Sequence, residues 1–246
     1  MTAARVIYGF HAVTARLRHA AAGVREIYLD AARSDARARN LARLAAERGV
    51  NVLTVDAARL DGLTGRARHQ GVAARIVPEV PATSIEQVLE RNAGPLLLLV
   101  LDGIQDPHNL GACLRVADAF GVHAVIAPKD RATGITPVVS KVACGAAETI
   151  PYVMVTNLAR ALRMLRENGI WIIGADQGAQ TDIYHARLDG SLAWVLGAEG
   201  AGMRRLTREH CDELVRIPMA GSVESLNVSV ASGICLAETR RRREYQ

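Results

Sequence analysis

From residue 94 onward, short runs that are apolar at every position alternate with segments whose apolar residues return every three or four positions. The runs are Leu96–Leu101, Ala124–Ala127, Tyr152–Val155, Ile170–Gly174, Ala193–Leu196 and Leu214–Ile217. Helical periodicity marks Leu110–Phe120, Val138–Ala143, Leu158–Glu167 and Val228–Arg240. A strand with no polar face has both faces covered, so the pattern predicts a parallel sheet with helices on each side. Ligands of such sheets sit at the carboxyl ends of the strands. The loops after the strands are therefore where chemistry is expected. Before residue 78 the pattern is weaker. It reads as helix His11–Ala20, strand Glu26–Leu29, helix Asp35–Arg48, strand Asn51–Val55 and strand Val72–Val77, a small α/β unit.

Punctuation separates the two regions. Pro78-Glu79-Val80-Pro81 follows one apolar stretch and Gly94-Pro95 precedes the next, with Ser84–Arg91 reading as a short helix in a linker. The expected division is 1–77, a linker 78–93, and 94–246. Charge follows it. Of the net +5, residues 1–77 carry +7, from 13 Arg against 6 acidic residues, and the remainder carries −2. A basic module joined to a near-neutral one suits a polyanion partner, although an Arg-rich solvated surface explains the charge equally well. The longest apolar run falls far short of the ~20 residues of a membrane span, and no charged-then-apolar leader opens the chain. Four cysteines stand 31, 67 and 24 positions apart with no CxxC pair. That spacing disfavours a zinc site and fits reduced thiols in a cytoplasmic protein.

Three loops have unusual composition. The first runs from Asp102 through Asn109 and Gly111 to Arg115. Asp106-Pro107 makes a turn and Asn109 is expected to cap the helix. Gly111, inside the helix, costs about 1 kcal/mol relative to Ala. It shares a face with Arg115, and a notch there suits a phosphate or a second chain. The second loop, Leu196-Gly-Ala-Glu199-Gly-Ala-Gly-Met203, is glycine-rich but lacks the dinucleotide spacing and the Walker lysine. The third runs from Ile217 to Asn227, with Ser225 or Asn227 as helix cap, into a helix whose Ala231-Ser232-Gly233 permits close packing.

Together and in this order, Asn109–Arg115, Leu196–Met203 and Ile217–Asn227 resemble the three motifs of the SpoU branch of the SPOUT RNA methyltransferases. Tyr8–Val13, His69–Gly71, Val122–Asp130, Lys141–Glu148 and Arg204–Leu214 are similar to that family too. The resemblance implies an RNA-binding N-terminal domain of L30e type and a C-terminal α/β domain threaded into a trefoil knot. It implies S-adenosylmethionine as cofactor, with S-adenosylhomocysteine as product, bound through Gly197, Ile217 and Leu226. It implies a catalytic set of Asn109, Arg115, Glu199 and Asn227, no metal, and a homodimer with the site at the subunit interface. The last helix is expected in that interface.

The implied reaction is 2′-O-methylation of a guanosine in the peptidyl-transferase-centre region of 23S rRNA, on naked RNA or a large-subunit precursor. The alternatives are a sister enzyme of rRNA adenosine or tRNA guanosine, or a non-catalytic assembly factor. A 2′-hydroxyl is a poor nucleophile until it loses its proton, so alignment and charge stabilisation are needed. Neutral guanidine is very rare, which suits Arg115 to electrostatic stabilisation. The proton can pass to phosphate, water or Glu199.

Overall fold

The structure is a computed structural model describing residues 5–77 and 81–244. It divides into two units, Met1–Val80 and Pro81–Gln246. Pro78–Val80, the start of the expected linker, lie outside the described residues.

The first unit runs β1 (Arg5–Tyr8), α1 (Phe10–Ala20), β2 (Val24–Asp30), α2 (Ala36–Glu47), β3 (Asn51–Val55), α3 (Ala57–Thr64) and β4 (Val72–Ile76). The sheet order is β1-β4-β2-β3. β4 is antiparallel to both neighbours, and β2 and β3 are parallel. Val13 and Leu17 of α1 and Leu41 and Ala45 of α2 fill one face. Leu60 of α3 covers the other against Tyr28 and Ala73. The Asp35 and Asp56 side chains accept from Ala38 N–H and Arg59 N–H and so start α2 and α3.

The second unit runs α4 (Ile85–Glu90), β5 (Leu97–Asp102), α5 (Pro107–Ala119), β6 (Ala124–Pro128), α6 (Pro137–Ala143), α7 (Ala146–Thr149), β7 (Tyr152–Val155), α8 (Leu158–Glu167), β8 (Trp171–Ala175), β9 (Thr181–Asp182), β10 (Leu192–Gly197), α9 (Arg205–Glu209), β11 (Glu213–Arg216) and α10 (Val228–Glu244). Its seven strands are ordered β7-β6-β5-β10-β8-β11-β9, and every pair is parallel. The expected two-sided burial holds along β5. Leu97, Leu99 and Leu101 face a core closed by α5, α6 and α10, while Leu98 and Val100 face α4 and α8.

One expectation is corrected and one is met. The helix assigned to the linker is α4, and its Ile85 and Val88 are buried in the core under β5. Apolar side chains one turn apart seat it on the sheet. Ala231-Ser232-Gly233 serves the chain's own packing. Ser232 is fully buried with Oγ 3.7 Å from Cys113 Sγ, and a Cβ on Gly233 would stand 3.8 Å from Val116 of α5. α10 is further held by Trp194 Nε1, which donates to Thr239 Oγ1 at 2.9 Å, and by Arg240, whose Nε donates to Phe120 O at 2.7 Å.

Candidate active site

β5 and β10 lie side by side at the point where the strand order reverses, with Gly197 opposite Asp102 at their carboxyl ends. Three loops leave this edge, after β5, β10 and β11. Beyond Gly197 the chain folds back. Gly202 N–H donates to Ala198 O at 2.8 Å, and Gly200 and Gly202 take φ of 76° and 65°, which residues other than glycine rarely adopt. The fold is so close that a Cβ on Gly197 would overlap the Gly202 carbonyl carbon and the Met203 nitrogen.

This loop and the one after β11 bound a cavity of about 360 Å³. Gly197, Ile217 and Leu226 all line it, as does the exposed Glu199. Ile217 and Leu226 belong to the apolar core beneath, so the cavity has a dry side. Its polar side has Asp176 and Gln177, which follow β8, and Arg208. Arg208 Nη1 lies 3.1 Å from Asp176 Oδ2, and Gln177 Nε2 donates to Ile217 O at 3.4 Å. Under the loop, burial pushes the Cys211 thiol up to about 12, which makes it packing rather than a nucleophile.

Asn109 and Asn227 are brought together. Asn227 precedes α10, and its Oδ1 accepts from Ser229 N–H at 2.9 Å and Ser229 Oγ–H at 2.6 Å. That fixes the amide so that Nδ2 donates to Asn109 Oδ1 at 2.8 Å. Asn227 therefore both caps α10 and links it to α5, beside the cavity lining and not in it. Asn109 is not a cap. Asp106 takes that place, its Oδ1 accepting from His108 N–H at 3.0 Å with Pro107 at the first helical position. Asn109 thus works from the first turn of α5 and not from the loop.

Arg115 is not brought to this pair. It lies exposed on α5, outside the cavity lining. The notch expected beside it is filled. A Cβ on Gly111 would stand 2.7 Å from Val142 Cβ and 2.9 Å from Val139 O, so Gly111 admits α6 of the same chain.

The sequence alone did not single out Asp102, whose carboxylate joins the end of β5 to the end of the glycine loop. Its side chain is buried, and it receives Arg204 through three contacts. Oδ2 accepts from the backbone N–H at 2.9 Å, and Oδ1 takes Nε at 2.7 Å and Nη2 at 2.6 Å. The available signal was an acidic residue directly ending an all-apolar run, which Asp176 also shows. Among the described residues, no group of three or more His, Cys, Asp or Glu side chains is placed to hold a metal ion.

Two family models match. Residues 96–237 fit the SpoU rRNA Methylase family, and residues 6–81 fit the RNA 2′-O ribose methyltransferase substrate binding family. The chain is 59% identical to the 23S rRNA (guanosine-2′-O-)-methyltransferase RlmB of Neisseria meningitidis serogroup B, over 97% of this chain and 96% of that one. It is 58% identical to the enzyme of the same name from Ralstonia nicotianae, over 99% and 98% of the two chains. Among solved structures it is similar to the SpoU methyltransferase AviRb of Streptomyces viridochromogenes, with a TM-score of 0.63 at 24% identity, over 97% of this chain and 90% of that one.

Proposed function

The chain belongs to the SpoU rRNA Methylase family, and from that premise we propose that it methylates the ribose 2′-oxygen of a guanosine in 23S rRNA, with S-adenosylmethionine as donor. The observation that carries this is the 59% identity to a 23S rRNA guanosine 2′-O-methyltransferase over nearly the whole of both chains, which takes in both units.

The cavity fits the donor. Its volume lies in the range of small-molecule sites, and backbone groups of a glycine loop face an apolar wall. Glu199 and Glu224 add carboxylates beyond the paired Asp176 and Arg208, which suits a cationic ligand. Gly197, Ile217 and Leu226 would hold the nucleoside. When bound, the cofactor supplies an electrophilic methyl group.

The chain's own residues then align and polarise the acceptor. Asn227 and Asn109 form a fixed polar pair beside the cavity, placed to orient the ribose. The Arg115 guanidinium stabilises negative charge developing on the 2′-oxygen and the adjoining phosphate. Glu199, at the cavity rim, is free to accept the proton or to orient Arg115. Residues 1–77, net +7, supply most of the grip on RNA. The protein works in the cytoplasm as a homodimer, with the loops at the cavity threaded as a trefoil knot. Among the described residues no helix is long and apolar enough to cross a membrane.

The test is to map 2′-O-methyl groups on 23S rRNA from cells lacking the gene, before and after treatment with purified protein and S-adenosylmethionine. One guanosine should gain the mark. A mark on adenosine, on tRNA or on nothing would overturn the assignment.

A further inference from the structure

The contact between Asp102 and Arg204 has no part in the chemistry described above, yet it joins two of the three loops. Asp102 is the last residue of β5, and after Gly103 and Ile104 the chain enters the loop leading to α5 and Asn109. Arg204 is the first residue after the glycine loop that walls the cavity. The loop tip, Glu199–Gly202, is exposed, and its internal bonds fix its shape rather than its place. Its place is set at its two ends. One is Gly197, held in the sheet opposite Asp102. The other is Arg204, held by the Asp102 side chain.

The side chain of Asp102 is fully withdrawn from solvent, while that of Arg204 is 41% exposed. A carboxylate in such a setting is sustained only by a cation and hydrogen-bond donors, and Arg204 supplies both, from main chain and side chain. If burial alone were at stake, an apolar residue ending β5 would serve as well. What the ion pair adds is direction: a planar fork and a backbone N–H converging on one carboxylate define the exit of the loop.

We propose that Asp102, through Arg204, is a positioning residue that holds the glycine loop in the shape that binds the methyl donor. It touches neither donor nor RNA. This rests on the reading of the cavity as the S-adenosylmethionine site. The loop in the cofactor-free protein is then preorganised, and loosening it costs donor affinity before it costs the rate of transfer.

Three variants test this in the full chain. Asp102→Asn keeps the shape and an acceptor for Arg204 N–H but loses the charge. Arg204→Ala keeps the backbone contact alone. Arg204→Lys restores charge without the fork. Calorimetric titration with S-adenosylmethionine should show Kd raised at least about tenfold in Asp102→Asn and Arg204→Ala, with partial rescue in Arg204→Lys. Rates at saturating donor and rRNA affinity should stay within about threefold of the starting protein. Amide exchange at Ala201–Arg204 of the cofactor-free variants should accelerate. Arg204 is partly exposed, so its variants decide the matter if Asp102→Asn fails to fold. Donor Kd within about twofold of the unaltered protein in Arg204→Ala would overturn the proposal, as would equal loss in Arg204→Lys and Arg204→Ala. An unaltered protein that bound no S-adenosylmethionine would instead undo the reading of the cavity itself.

Discussion

Asn227 Nδ2 donates to Asn109 Oδ1 at 2.8 Å, across 118 positions of sequence, while the same Asn227 side chain caps α10 through its oxygen. One amide thus ties the first loop to the third and starts the final helix. Its two roles separate by substitution. Asn109→Ala removes only the inter-loop contact, so it should slow methyl transfer at least about tenfold with little change in melting temperature. Asn227→Ala also loses the cap and about 1 kcal/mol of stability with it. Asn227→Asp keeps the cap but sets a carboxylate against Asn109 Oδ1. It should melt like the unaltered protein and be as slow as Asn227→Ala. An Asn227→Asp variant with full activity would remove this pair from the site.

Two glycines distinguish packing from loop shape. Gly111 lies against Val142 and Val139 O, with no room for a methyl group. Gly111→Ala should therefore destabilise by about 1–3 kcal/mol through overpacking, although Ala is the better helix former by about 1 kcal/mol. Gly197→Val collides with the fold-back of its own loop. It should abolish S-adenosylmethionine binding in calorimetry, because the loop must move for the side chain to fit. A stable, fully binding Gly197→Val would show that the loop does not form the donor wall.

The sequence made the second unit more legible than the first. Apolar runs pinned β5, β6, β8, β10 and β11 to within one residue, the central ones because a strand buried on both faces has no polar positions to blur its ends, while the half-buried Tyr152–Val155 and the first unit's Asn51–Val55 were read to the residue. β1 and α3 left no such trace. β1 has four residues with Arg5 and Tyr8 at its ends, and α3 buries Leu60 alone and contains Gly62. α4 was hidden differently. Prolines and glycines around it read as a linker, although Ile85 and Val88 already stood at helical spacing. In the site, the family resemblance supplied Asn109, Asn227, Gly197, Glu199, Ile217 and Leu226, which the fold brings to one edge of the sheet, and Arg115, which it leaves exposed outside the cavity lining. Residue type makes Asn109 a candidate cap, but Pro107, a residue favoured at the first helical position, marks Asp106 as the cap. Gly111 was taken for a ligand notch because no local signal tells which chain fills a gap. The Asp102–Arg204 pair spans 102 positions, and no pattern short of the fold joins them.

Acid should unfasten the end of α10. Glu238 is nearly buried. Arg241 donates to both of its oxygens at 2.8 Å, and Arg242 Nε donates to Oε1 at 3.0 Å. These bonds, Arg241 first, hold its carboxyl below the usual glutamate range. A group whose pKa is depressed by folding contributes stability above its unfolded value, near pH 4.3, and loses it as pH falls through the folded one. Glu238→Gln should lower the melting temperature at pH 7 by about 2 °C, the pairs being partly open to solvent. The gap should close as pH falls below about 4. A gap that is constant from pH 7 to pH 3 would show that charge is not the cause.

RNA binding should depend on salt through the first unit. Each phosphate neutralised releases counterions, so affinity falls linearly on a logarithmic salt scale. Reversing two exposed arginines of α2, Arg37→Glu and Arg43→Glu, should weaken rRNA binding and flatten the slope by about 2 while leaving donor affinity intact. An unchanged slope would move the RNA grip elsewhere.

Arg115 poses the sharpest question, because α5 carries it away from the pair it is expected to serve. Six positions of helix place it about 9 Å along the axis from Asn109 and about 120° around it. It is exposed and outside the cavity lining. We propose that, in a homodimer with the site at the interface, the guanidinium serves the cavity of the second copy. Arg115→Ala should then slow transfer by about 10²–10³ without altering donor affinity. Arg115→Lys should stay impaired at every pH, because lysine lacks the fork that holds oxygen and phosphate together. A rate climbing toward normal near about pH 10 would make the residue a base instead. Mixing decides which copy it serves. A dimer purified with one Arg115→Ala subunit and one Asn227→Ala subunit has, under cross-service, one intact site and one doubly damaged site. It should run at about half the unaltered rate, although either variant alone is nearly inactive. If each copy uses its own Arg115, both sites of the mixed dimer carry one defect, and no activity returns.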